Sequence, residues 1–151
     1  MRAILLIIMV LAIPDSVRSE VEAFKKLLET TTLKCIFGPG QIAHWDTGTV
    51  RVKNVSSENF TIHFDSIKPN ARTARSIGNL GAGDVELRVT SLGLTFIEET
   101  LAGNLIFTTV FASYDGNGEF MAVTSRHMGS MGRLGPFPQQ YFGFCTVGVD
   151  D

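Results

Sequence analysis

The sequence predicts an all-β fold: an antiparallel meander of about eight short strands, forming a small barrel or sandwich, with a short N-terminal helix. Three observations predict it. Apolar residues recur with period two through most of the chain after Thr31. Fifteen glycines and eleven phenylalanines suit turns and strands better than long helices. The alternating runs are short and are divided by clusters of Gly, Asn, Asp and Pro. A chain of 151 residues, 44% apolar and 19% charged, suits one domain and excludes a disordered one. A net charge of -2 gives no electrostatic footprint for nucleic acid.

The first element is read as a targeting segment. Met1-Arg2 is basic, Ala3 to Ile13 is an unbroken run of eleven apolar residues, and Pro14 breaks it. A membrane span needs roughly 20 such residues, so the run has the length of a signal-peptide core. Val17 and Ser19 are small enough for the cleavage positions, which makes 1–19 a signal peptide and 20–151 the mature β domain. No stable membrane span then remains. Loss of Arg2, Arg18 and Asp15 moves the net charge from -2 to -3.

The mature chain opens on its one helix candidate, 20–30, where Val21, Phe24, Leu27 and Leu28 form an apolar stripe. Its expected role is to cover a sheet face or a barrel end. Strands fill 31–147. Leu33, Cys35 and Phe37 alternate with polar or outward positions, and Gly38-Pro39-Gly40 is read as the end of that strand. Val50 to Lys53, Phe60 to Asp65 and Val85 to Val89 alternate cleanly, and one weak strand is expected near Ala74–Ile77. Leu94 to Glu98 follows a turn. Asn104 to Ala112 is apolar on both parities, so both of its faces are expected to be covered. Asp115-Gly116-Asn117-Gly118 marks a hairpin, Phe120 to His127 is its returning strand, and Tyr141 to Val147 closes the meander after a Gly/Pro-rich loop.

Export implies an oxidising compartment, and the two cysteines, Cys35 and Cys145, form an even set. A bridge between them would close a loop of about 110 residues and contribute roughly 4–5 kcal/mol. The alternative, a catalytic thiol, needs a free activated cysteine near a histidine.

No catalytic motif stands out. His44, His63 and His127 occur singly, without metal-ligand spacing, so neither a metal nor a cofactor is expected. Asp115 to Glu119 lacks the later glycine and glutamate of a calcium loop and reads as a β-turn. Gly78 to Gly83 is not followed by Lys-Ser/Thr, and Gly129 to Gly132 lacks the first glycine of a nucleophile elbow. The informative pair is Arg126 and Glu98. Arg126 shares parity with Phe120, Ala122 and Thr124, and Glu98 shares parity with Leu94 and Phe96. Two strands apart in a meander, both charges belong at the same end. They would form an ion pair there, or Arg126 would anchor an anionic ligand over an apolar pocket.

The segments Leu94 to Glu98, Gly103-Asn104, Thr108 to Phe111, Ser125-Arg126-His127 and Pro138 to Cys145 resemble a group of uncharacterised small secreted proteins from proteobacteria. That group shares an N-terminal signal, an early cysteine and a late Q-Y-x-G-x-C ending, and the resemblance spans residues 33–147. It differs at Gln139, where the group has serine. The resemblance implies a bacterial periplasm or exterior and supplies no catalytic residues.

The leading expectation is an exported, non-enzymatic β domain. It would bind a small apolar or amphipathic ligand, or a cell-envelope protein. Phe60, Phe64, Phe96, Phe107 and Phe120, with Arg126 and Glu98, are the candidate ligand-contacting residues. The alternatives are a structural or interaction module with a solid core, and a hydrolase or metal-dependent enzyme using His127.

Overall fold

Strands of alternating parity must present one face to a core and one to solvent, and here the sheet curls until its two ends meet. A computed structural model describes residues 15–56, 59–79, 81–115, 117–129 and 135–148. The apolar run of the expected signal peptide lies outside the described residues. Among them, one helix, α1 (Asp15–Glu29), precedes nine strands. These are β1 (Leu33–Asp46), β2 (Thr49–Val55), β3 (Phe60–Lys68), β4 (Thr73–Gly78) and β5 (Gly81–Thr90), then β6 (Gly93–Glu99), β7 (Leu105–Tyr114), β8 (Phe120–Met128) and β9 (Phe137–Val147).

Each strand from β3 to β9 pairs antiparallel with the next, β1 pairs with β3, and β9 returns to β1. The result is an eight-stranded closed antiparallel barrel, with β2 as an additional strand. Closure removes the exposed edges of the eight barrel strands.

The seam between β1 and β9 carries the disulfide. Cys35 and Cys145 are registered partners with Cα atoms 4.0 Å apart, and both are fully buried. Gly143 allows the two strands to approach. A Cβ there would lie 2.1 Å from the Ile36 carbonyl oxygen.

The segment Gly38-Pro39-Gly40 does not end β1. The register shifts between Phe37 and Gly40, and the strand runs on to Asp46. Glycine and proline here form a bulge, which exchanges the inward and outward parities. Before the bulge β1 pairs with β3, and beyond it with β2. The pairing with β9 stops at Ile42, so Ala43 to Val52 extend past the barrel as a two-stranded ribbon. Its turn is made by Thr47 and Gly48, both with positive φ, the form that matches strand twist. β9 likewise begins earlier than the alternation suggested, at Phe137, within the stretch read as loop.

The core is the barrel interior. Phe37, Leu33, Leu87, Leu94, Phe96, Val110 and Phe120 are almost fully buried. The α1 helix starts at Asp15, five residues before the expected start, and buries Ala23 and Leu27 completely. Val21, expected in the apolar stripe, is exposed. The ammonium of Lys26 sits 5.7 Å from the Tyr114 ring centroid and 5.9 Å from that of Phe120, so α1 closes the end where β7 finishes and β8 begins. Among the described residues, no helix is long and apolar enough to cross a membrane.

Candidate functional site

The end opposite α1 is built by the start of β3, β7 and β9 and the finish of β4, β6 and β8. One row of registered residues crosses it: Glu98, Ile106, Arg126, Gln139, Ile42 and Lys53, from β6 through β2. Registered partners point to the same face, here the inner one. The row therefore sets two opposite charges on one rim, as the parity of Arg126 and Glu98 required.

The two charges do not form an ion pair. Ile106 stands between them in the row, and each side chain turns elsewhere. Glu98 accepts a hydrogen bond from the Ser76 hydroxyl at 3.0 Å. Arg126 places its guanidinium carbon 4.4 Å from the Phe60 ring centroid and 5.5 Å from that of Tyr141. The two rings meet edge to face at 5.1 Å, and the Tyr141 hydroxyl donates to Gln139 Oε1 at 3.0 Å. Cation–π contact uses none of the five guanidinium N–H donors. The Nε of Arg126 is buried and has no hydrogen-bond partner among the described residues. Burial pulls the Arg126 guanidinium below its ordinary value, against the opposing influence of Tyr141 and Glu98. The group stays a cation at any physiological pH. It is a half-buried positive charge, backed by aromatic faces, with donor capacity to spare.

The phenylalanines divide by position. Phe60 is half-buried at this end, which no helix covers among the described residues, and stacks on Phe37 at 5.5 Å. Phe64 and Phe96 stack at 3.9 Å and are 2% and 1% exposed, so solvent scarcely reaches either ring. Phe120 is as deeply buried but sits under α1, at the far end. Phe107 is on the outer face of β7, with its ring 5.2 Å from that of His127. The structure thus gathers Arg126 and Phe60 at the rim, with Glu98 on the same rim, and leaves the other four rings away from it.

The β9 and β4 partners escaped sequence reasoning. Tyr141 and Gln139 share parity with Cys145, which points both inside, but the alternation marks the strand only from Tyr141. Ser76 shares parity with Ala74 in a strand too short for alternation to speak clearly.

The histidines are dispersed. His44 is on the ribbon, His63 on the outer face of β3, and His127 on the outer face of β8, opposite in parity to Arg126. Among the described residues, no group of three His, Cys, Asp or Glu side chains is placed to hold a metal ion.

A second surface feature lies outside the barrel. Ile36, Phe144 and Met121 are registered across β1, β9 and β8, with Phe142 beside them, and each is about two-fifths exposed. With Lys34, Gly38 and Glu119, the residues Ile36, Phe142 and Phe144 border a depression of about 340 Å³. No family model, curated protein or solved structure matches the chain.

Proposed function

We propose that this protein is an exported, non-enzymatic binding domain that takes a small amphipathic ligand at the end of its barrel opposite α1. Arg126 meets the anionic group of the ligand, and Phe60 and Tyr141 meet its apolar part. A carboxylate is the best fit, because two parallel N–H donors of a guanidinium match its two oxygens. The observation that carries this reading is the buried Nε of Arg126, which has no partner among the described residues. Leaving such a donor unmet costs about 1–3 kcal/mol, a cost relieved if the guanidinium turns toward a ligand at the rim. Export is supported by the leader-like first segment and by the buried Cys35–Cys145 bridge, which belongs to an oxidising compartment. The resemblance to secreted proteobacterial proteins favours the periplasm or the exterior.

Native mass spectrometry of the protein purified from its own compartment tests this. The expected result is a retained small anionic molecule, missing from R126Q. Unliganded wild-type protein in every preparation would overturn it.

A second reading, docking to a cell-envelope protein, is favoured by the exposed set Ile36, Met121, Phe142 and Phe144. The same experiment would then retain a polypeptide, and F142S/F144S would release it.

A further inference from the structure

Barrel closure protects the strands of the wall and leaves the ribbon open, on β1 from Ala43 to Asp46 and on β2 along its whole length. Among the described residues β2 pairs with β1 along one edge and with no strand along the other. All but the last of its seven residues, Thr49 to Asn54, are exposed. A free edge of this length presents unpaired N–H and C=O groups in the spacing of a strand.

Its two faces differ in chemistry. Val50 and Val52 point outward, registered with Trp45 and Ala43 of β1. Trp45, Val50 and Val52 are each more than half exposed, which makes one apolar face on a ribbon that stands clear of the barrel. Arg51 and Lys53 point to the other face, registered with His44 and Ile42. Arg51 is held by Asp46 at 2.9 Å, on the same face. The edge therefore alternates cationic and apolar side chains.

We infer that the free edge of β2 is a docking site for an extended peptide of alternating acidic and apolar residues, which would add to the ribbon as a third strand. Carboxylates would face Arg51 and Lys53, and apolar side chains would extend the Trp45–Val50–Val52 face. Two other occupants fit less well. In an antiparallel pairing with a second copy, centred on Arg51 or on Val52, Arg51 and Lys53 of the two chains share one face, and like charges meet. Insertion of the ribbon into a bilayer would bury the unpaired backbone edge, together with Asp46 and Arg51, in hydrocarbon.

Trp45 is the only tryptophan of the chain, so its fluorescence reads this site directly. The probes are an acetylated octapeptide of alternating glutamate and valine, its lysine–valine counterpart, and the glutamate peptide N-methylated at every second amide in each register. The unmodified protein is expected to give a saturable response to the glutamate peptide. Binding of the lysine peptide, and of the blocked register, is expected to be at least about tenfold weaker. R51E/K53E is expected to exchange the preference between the two charged peptides. Equal responses to both charges, no saturation, or indifference to N-methylation would overturn the inference. So would a concentration-dependent dimer in sedimentation, or binding to phosphatidylglycerol vesicles in place of the peptide.

Discussion

The guanidinium of Arg126 rests 4.4 Å from the centroid of the Phe60 ring, while Glu98, two strands away on the same rim, is bonded to Ser76. A cation that passes over the carboxylate in its own register row is not serving primarily as half of a salt bridge. On the proposed function, its partner is an anion that comes from outside the chain.

R126M tests that division directly. Methionine keeps the apolar stem and removes both the charge and the unmet donor. The variant is expected to match or exceed the wild type in stability, by up to about 1 kcal/mol in urea unfolding, while losing the bound anionic molecule. A large loss of stability would mean that the arginine is structural.

Removing the bridge acts on the unfolded chain. Cys35 and Cys145 are 110 residues apart, so C35A/C145A frees a long loop. The expected loss is about 4–5 kcal/mol in the unfolding free energy, with the barrel spectrum kept in the native state.

The same seam is sensitive to a single methyl group. A Cβ at Gly143 would lie 2.1 Å from the Ile36 carbonyl oxygen and 2.8 Å from Phe37 Cα, both backbone atoms. G143A is expected to cost about 2–4 kcal/mol and to lower the thermal midpoint. G48A lacks such a neighbour, although its positive φ adds some strain, and should cost less.

Acid should weaken the hairpin between β7 and β8. The Asp115 carboxylate accepts hydrogen bonds from the backbone N–H of Glu119 at 2.8 Å and of Asn117 at 2.9 Å, which hold its pKa below the ordinary 3.8. A lowered carboxyl pKa stabilises the fold above the unfolded value, and that contribution disappears as pH falls through the folded value. Asp65, bonded to Arg75, behaves the same way. Urea midpoints should therefore fall as pH drops below the ordinary carboxylate value of about 4. D115N/D65N should show a shallower fall over that window.

Much of the wall was legible because its strands alternate without interruption. Phe60 to Phe64, Val85 to Leu87 and Phe120 to Thr124 could be assigned faces by counting, and so could the shared end of Arg126 and Glu98. The ribbon was not legible. Gly38-Pro39-Gly40 has the composition of a stop, and only the approach of β9 makes it a bulge, since a Cβ at Gly40 would lie 2.3 Å from the Gln140 carbonyl oxygen. Phe107 was hidden for another reason. Its strand is apolar on both parities, so the sequence holds no signal for which side faces inward. The contact of Arg126 with Phe60 and Tyr141 joins residues from three strands and follows only from closure.

Burial of both sulfurs at the seam has a chemical consequence. A reducing thiolate must approach along the S–S axis, and the shut barrel leaves no path to either atom. Reduction of the native protein is then gated by the opening of β1 from β9. In excess reductant its rate ceases to depend on reductant concentration and becomes a direct clock for how often the cylinder unzips.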